Sequence, residues 1–339
     1  MILRSLQRVL RHFILLSVIL CLWSPGLKAA DSCRMVDGTF EDRSRDRTVP
    51  FRAYCPNPLH GRYPVVLFSH GLGGSRNAAA YLGRYLAENG YVAFHIQHRG
   101  SDVSVWQGKG SDRQGITSAM EASLRDPRNA LNRFLDIPFV LDQLAEFGAS
   151  DPLFKGHMDL DKIGMAGHSY GGRSTMIAAG ERIGPGHRSF KDSRIRAAVI
   201  LSPALPRRDI DLNKAYQDID IPMFHITGTR DADPLPSSRN MDPSERTEPY
   251  RYIDNNVPQF LLVLDKADHM TFSGHRLGTP AETVNDRRHI AAVQRGVLAF
   301  YDAYLKEDKT ALKWLRNDFV KTLHKADRFE WKPRDNERH

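Results

Sequence analysis

The run Lys162-Ile-Gly-Met-Ala-Gly167-His-Ser169-Tyr-Gly171-Gly172 constrains this chain more than any other stretch. An apolar strand pattern leads into Gly-x-Ser-x-Gly, and Arg173-Ser-Thr-Met-Ile-Ala-Ala179 follows at helical spacing. Gly167 and Gly171 carry no Cβ, so strand and helix can close on a sharp turn and pack tightly. Such a unit needs a sheet with helices laid against it. It would hold the Ser169 hydroxyl open at the C-terminal end of its strand, with a helix N-terminus behind it.

The rest of the chain supplies that sheet. Strand patterns at 65–69, 91–95, 163–167, 195–201, 221–227 and 259–264 alternate with helical patterns at 76–88, 126–147, 170–180 and 286–305, after an opening hairpin. This alternation predicts an α/β architecture, a mostly parallel central sheet with helices on both faces, in a single domain over 31–339. The charged segment from Lys306 to His339 is expected to pack one more helix through Trp314, Leu315 and Trp331 before a frayed end.

A serine alcohol near neutral pH needs a base, an orienter for that base and donors for an oxyanion. In this kind of fold the partners follow in the order serine, acid, histidine. The strand at 221–227 ends in Gly228-Thr-Arg-Asp231-Ala-Asp233, and the strand at 259–264 ends in Asp265-Lys-Ala-Asp268-His269. Both loops fall at the sheet edge that carries Ser169. Asp231 is read as the acid, with Asp233 as its rival or a turn cap, and His269 as the base. Asp268 reads as a supporting hydrogen-bonding group or a turn residue. One oxyanion donor is the N–H of Tyr170, after the nucleophile. The other is the N–H of Leu72, because His70-Gly71-Leu72-Gly73-Gly74 follows the strand ending at Ser69 and can turn its backbone inward. That glycine-rich turn lacks the lysine of a P-loop and the spacing of a dinucleotide fingerprint, which argues against a nucleotide site.

On these residues the chain resembles an α/β-hydrolase of the group containing bacterial predicted dienelactone hydrolases and platelet-activating-factor acetylhydrolase-like enzymes. It is more distantly similar to bacterial polyester hydrolases and cutinases. The likeness rests on Ser69–Gly74, on Gly90-Tyr-Val-Ala-Phe-His95-Ile-Gln-His98-Arg99-Gly100, on Gly167–Gly172 and on the loops of Asp231 and His269, and it runs from Cys33 to Leu305. It implies hydrolysis of carboxylic esters by a serine-acid-histidine triad with no metal and no cofactor. The substrate is left open as a small-molecule, lipid or polymeric ester, including the phospholipase or acetylhydrolase type and the polyester hydrolases. Three departures matter. No carboxylate occurs in Ala197–Pro203, where animal acetylhydrolases place their acid; Ser169 stands where dienelactone hydrolases have cysteine; and no tryptophan follows Leu201 as in polyester hydrolases. A serine peptidase would need a docking domain for which the length leaves no room. A haloperoxidase-like activity would use the same triad, and a non-catalytic binding protein would normally lack one of its members.

The N-terminus bears on compartment. Arg4, Arg8 and Arg11 precede Phe13–Trp23, an apolar stretch short for a span, and Ala29-Ala30 close the segment. This reads as a signal peptide over 1–30 and a periplasmic or secreted protein, with a retained membrane anchor as the alternative. Without Cys21, an even pair remains, and Cys33 and Cys55 are expected to form a disulfide across the opening hairpin, worth about 3 kcal/mol. The formal charge of +8 falls by four once Arg4, Arg8, Arg11 and Lys28 are removed. The other charges are interspersed in sign, which supports no nucleic-acid role, and no obligate protein partner is indicated. His95 and His98 alternate in direction along a strand and find no third ligand, so they read as structural. The segments 103–124, 204–220 and 233–256 are expected to be loops walling the pocket, with Trp106 either a substrate contact or packed on its own loop.

Overall fold

The computed structural model describes residues 32–332 apart from 111, 185, 207–208, 234, 236–240 and 275–283. The segment 1–30, with its expected signal peptide, and parts of all three expected pocket walls therefore lie outside the described residues. Among the described residues nine strands form one sheet in the order β1-β2-β4-β3-β5-β6-β7-β8-β9. They are β1 (Cys33–Asp42), β2 (Arg47–Pro56), β3 (Tyr63–Ser69), β4 (Val92–Ile96), β5 (Met158–His168), β6 (Ile195–Leu201), β7 (Met223–Arg230), β8 (Gln259–Asp268) and β9 (Arg328–Lys332). Strands β4, β3, β5, β6, β7 and β8 are mutually parallel. The hairpin β1–β2 joins β4 antiparallel, and β9 closes the far edge antiparallel to β8.

The helices are α1 (Ala80–Glu88), α2 (Arg113–Arg125), α3 (Pro127–Ser150), α4 (Tyr170–Ala179), α5 (Leu212–Tyr216), α6 (Glu248–Tyr252), α7 (Val284–Leu305) and α8 (Lys309–Asn317). Strand residues alternate between two cores, as a period of two requires. Val66 and Phe68 join Leu82 and Leu86 of α1 and Val293, Val297 and Phe300 of α7 on one face. Val65 and Leu67 join Ile137, Val140 and Leu144 of α3 on the other. With both faces covered, the central strands read as largely apolar runs, the pattern of a buried parallel sheet. This is the expected α/β-hydrolase architecture.

Several elements depart from the sequence reading, among them the short helices α5 and α6, which lie within 204–220 and 233–256, both expected to be loops. The segment 103–124 is not a plain loop: it carries α2, whose cap Asp112 accepts a hydrogen bond from the Gly115 N–H. The expected frayed end contains β9, where Phe329 and Trp331 pack on the core.

The Cys33–Cys55 disulfide is also corrected. Both residues are buried thiols, not joined to one another. The register pairs Cys33 with Pro56 and Arg34 with Cys55, so the two side chains leave the hairpin on opposite faces. Cys33 packs with Tyr54 in one core and Cys55 with Phe51 and Ala53 in the other. Antiparallel pairing that brings the backbones together thereby keeps the sulfurs on opposite sides of the sheet.

The end of α4 carries a separate stability device. Glu181 is fully buried just past the helix C-terminus, where the helix dipole opposes a negative charge. Burial raises its carboxyl to about 7, against the lowering effect of Arg173 at 3.3 Å, and its Oε2 has no hydrogen-bond partner. A carboxyl raised in the folded state favours folding at low pH and loses that advantage as pH climbs from the unfolded value towards 7. Glu181→Gln is therefore expected to gain about 1–3 kcal/mol over the parent at pH 8 and almost nothing at pH 4.5. Urea midpoints at the two pH values check this; equal losses at both would mean that the ion pair with Arg173 outweighs burial.

Candidate active site

The chain runs from β3 to β4 on one side and then returns to place β5 on the other side of β3. The order of strands reverses there, and the C-terminal ends of β3 and β5 take the usual position of a ligand site in an open α/β sheet. Ser69 ends β3 and His168 ends β5, so the turn carrying Ser169 and the loop 70–74 meet at this point.

Ser169 has φ 56° and ψ −117°, a conformation that L-residues rarely adopt. It is held by its neighbours: its N–H donates to the Leu201 carbonyl at 2.9 Å, and its own carbonyl accepts from Arg173 N–H and Ala204 N–H. Two glycines make the turn possible. A Cβ on Gly167 would lie 2.2 Å from the Gly171 carbonyl oxygen, and one on Gly171 would lie 1.9 Å from that of Ser69. The start of α4 thus rests directly on the end of β3.

The expected partners converge on Ser169. His269 Nε2 lies 2.8 Å from Ser169 Oγ, and its Nδ1 lies 2.9 Å from Asp231 Oδ1. Asp231 follows β7 and His269 follows β8, as read from the sequence. Asp233, the rival acid, accepts from the Leu235 N–H, a turn contact. Asp268 caps the short 3-10 turn after β8 through the Thr271 N–H and hydroxyl, which fixes the loop that presents His269.

Asp231 is fully buried. Burial pushes its carboxyl up, but the His269 hydrogen bond, the Arg246 charge and the Thr227 hydroxyl outweigh it and hold the group at about 2. Thr227 Oγ1 donates to Oδ2 at 2.6 Å, and Arg246 Nε lies 3.0 Å from Oδ1. An ionised carboxylate hydrogen-bonded to Nδ1 keeps the imidazole proton there and leaves Nε2 as an acceptor facing Ser169.

Two members of this cluster escaped sequence reading. Ser202, with φ 49°, directly follows β6 and donates from Oγ to Asp231 Oδ1 at 2.7 Å; the same oxygen lies 2.7 Å from His269 Nδ1. It occupies the strand end where animal acetylhydrolases place their acid, so that position keeps contact with the histidine through a hydroxyl. Arg246 comes from the segment 233–256, expected to be a pocket wall, yet it is buried beneath the acid, and its Nη1 donates to the Pro203 carbonyl. His168 packs on His269 with ring centroids 4.9 Å apart and bonds through Nε2 to the His269 carbonyl at 2.9 Å. Burial, with the neighbouring His269, lowers the His168 ring to about 3, so it stays neutral.

Leu72 lies in the loop after β3, and Tyr170 directly follows Ser169. Tyr170 opens α4, where first-turn N–H groups have no partner within the helix. Gly71 sits against Ser169: a Cβ there would lie 3.2 Å from the serine Cβ. The loop is tied down at Gly73, whose N–H donates to the Ser101 carbonyl and whose carbonyl accepts from Trp106 Nε1 at 2.7 Å. Trp106 thus packs on the loop beside the cleft, with Met120 of α2 next to it. His95 and His98 are buried; His95 Nδ1 bonds to the Ala78 carbonyl, and His98 bridges Ser69 and Asp136.

Comparison with known proteins agrees with the resemblance read from the sequence. The profile of a family described as platelet-activating factor acetylhydrolase, isoform II, matches residues 44–112. The platelet-activating factor acetylhydrolase of Canis lupus familiaris is 28% identical over 212 residues, covering 54% of this chain and 44% of that protein. That of Bos taurus is 28% identical over 198 residues, covering 50% and 40%. That of Cavia porcellus is 24% identical over 186 residues, covering 46% and 38%. The matched stretch therefore spans less than half the length of each of these curated relatives.

Proposed function

We propose that this protein is a serine hydrolase of carboxylic esters, acting through an acyl-enzyme on Ser169. The observation that carries this reading is the continuous line Ser169 Oγ, His269 Nε2, His269 Nδ1 and Asp231 Oδ1, with links of 2.8 and 2.9 Å. Ser169 Oγ attacks the ester carbonyl carbon while His269 Nε2 takes its proton. The carbonyl oxygen becomes an oxyanion facing the N–H groups of Leu72 and Tyr170, each such donor typically worth about 3 kcal/mol. His269 then protonates the departing alkoxide, leaving the acyl group on Ser169. Water enters, His269 takes a proton from it, and the second tetrahedral intermediate collapses to acid and free serine. Asp231 stays ionised throughout and stabilises the imidazolium.

The similarity to platelet-activating factor acetylhydrolases favours a lipid ester with a short acyl chain among the ester classes. The basic and apolar N-terminal segment supports export, which would place the enzyme where such lipids are exposed.

A hydrolysis panel tests both levels. We expect purified protein to cleave p-nitrophenyl acetate and butyrate and a phospholipid with a short sn-2 acyl chain, with palmitate esters and a polyester film much poorer. Ser169→Ala should be silent throughout. Preference for the film or for long chains would remove the acetylhydrolase assignment and keep the esterase; activity that survives Ser169→Ala would remove the nucleophile itself.

A further inference from the structure

We infer that Arg133 is a positioning residue for the oxyanion hole, fixing from one buried guanidinium both segments that carry its proposed donors. The inference rests on the serine-esterase reading and deepens it. Arg133 projects from α3 and is fully buried. Its Nε donates to Ser174 Oγ at 2.8 Å, its Nη1 to Ser101 Oγ at 2.9 Å, and its Nη2 to Ser69 Oγ at 3.0 Å and to the His70 carbonyl.

Each contact leads to one side of the hole. Ser174 donates onward to the Tyr170 carbonyl at 2.8 Å, and the guanidinium lies 4.6 Å from the centre of the Tyr170 ring. Ser101 accepts the Gly73 N–H at its carbonyl, and the His70 carbonyl belongs to the peptide before Gly71-Leu72. The Ser69 hydroxyl is oriented too. His98 Nδ1 donates to Asp136, which Arg47 grips through both carboxylate oxygens, so His98 Nε2 accepts from Ser69 Oγ at 2.9 Å. That leaves the Ser69 lone pairs free for Arg133.

A buried charge in such a place is costly, and an apolar side chain of similar volume would fill the space more favourably. What an apolar side chain cannot do is hold three segments at fixed angles. A lysine cannot either, since a single ammonium on a flexible stem lacks the planar fork.

The test compares the parent with Arg133→Lys and, because that variant can fail to fold, with a Ser101→Ala/Ser174→Ala double variant that keeps the arginine. Labelling of Ser169 by a fluorophosphonate, kcat and KM on p-nitrophenyl butyrate, and inhibition by phenylboronic acid are measured, with circular dichroism as the check on folding. We expect Arg133→Lys to lose about 100-fold in kcat with KM within about threefold, and phenylboronic acid to weaken in step with kcat/KM. The double variant should lose about tenfold in kcat alone. A merely structural residue would lower the folded fraction without this split. An unlabelled parent overturns the esterase reading and the inference with it. A labelled parent whose folded Arg133→Lys variant keeps its kcat and boronate affinity overturns the inference alone. Should Arg133→Lys not fold, an unchanged kcat in the double variant overturns it.

Discussion

Ser169→Gly is expected to abolish turnover and to make the protein more stable than Ser169→Ala. The loss of kcat should be about 10⁴-fold or more in both variants, because no hydroxyl remains to be acylated. The stability difference comes from the backbone. Ser169 sits at φ 56° and ψ −117°, a region open to glycine and strained for any residue with a Cβ. Alanine keeps the strain and glycine relieves it, by about 1–3 kcal/mol, against about 0.5–1 kcal/mol for the greater freedom of glycine in the unfolded chain. The hydrogen bond to His269 is lost in both, so it cancels in the comparison. Urea unfolding of the two variants at equal slope reads the difference. A glycine variant no more stable than the alanine one would mean that the elbow relaxes around its side chain and stores nothing.

The strain at Ser169 also shows why so much of this site was legible in the sequence. A short Gly-x-Ser-x-Gly turn between a buried strand and a helix leaves almost no freedom in where the serine goes, and the strand-ending loops of Asp231 and His269 had to share its sheet edge. The parallel strands were readable for a similar reason: covered on both faces, they are mostly apolar runs, broken only by single polar residues such as His95, Arg196 and His225 in β4, β6 and β7.

What escaped reading depended on side chains that meet only after the chain has folded. Ser202, Arg246 and Arg133 stand far from Ser169 in sequence and carry no local pattern. The one trace at Ser202 was its position at a strand end before Pro203. Helix α2 was hidden by Gly115 and a polar composition: Ile116, Met120 and Leu124 recur at helical spacing, but the stripe is short and, apart from Ser123, none of its residues is deeply buried. In β9 the period of two was present, Phe329 and Trp331 alternating with Arg328, Glu330 and Lys332, but five residues in a charged tail are too few to outweigh their surroundings. The disulfide failed for a sharper reason. An even cysteine count and an opening hairpin are necessary for a bridge, but the register decides on which face each sulfur lies.

Asp231→Ala is expected to cost about 3–5 kcal/mol of stability as well as about 10⁴-fold in kcat. The stability loss follows from Arg246, 1% exposed and 3.0 Å from Asp231 Oδ1, which would be left as a buried charge without its carboxylate. Asp231→Asn should behave differently. Oδ1 accepts from Ser202 Oγ and His269 Nδ1 and lies 3.0 Å from the Arg246 guanidinium, whose Nε–H goes to the Asp231 carbonyl. An amide would therefore keep its oxygen there and turn its NH₂ towards Thr227 Oγ1. The imidazole then retains its tautomer, and only the stabilising charge is lost. A fall in kcat of about 10²–10³-fold is expected, less than the fall that a reversed tautomer produces. Loss by the full factor in a folded Asn variant would mean that the amide has turned its NH₂ to His269. The pH dependence adds an independent check. The Asp231 carboxyl is held at about 2 in the folded protein, so its stabilisation is complete above the ordinary carboxylate range and disappears as pH falls towards 2. The deficit of Asp231→Ala relative to the parent should therefore shrink between pH 6 and pH 2.5. A deficit that stays constant over that interval would assign the cost to lost packing and remove the ion pair with Arg246 as its source.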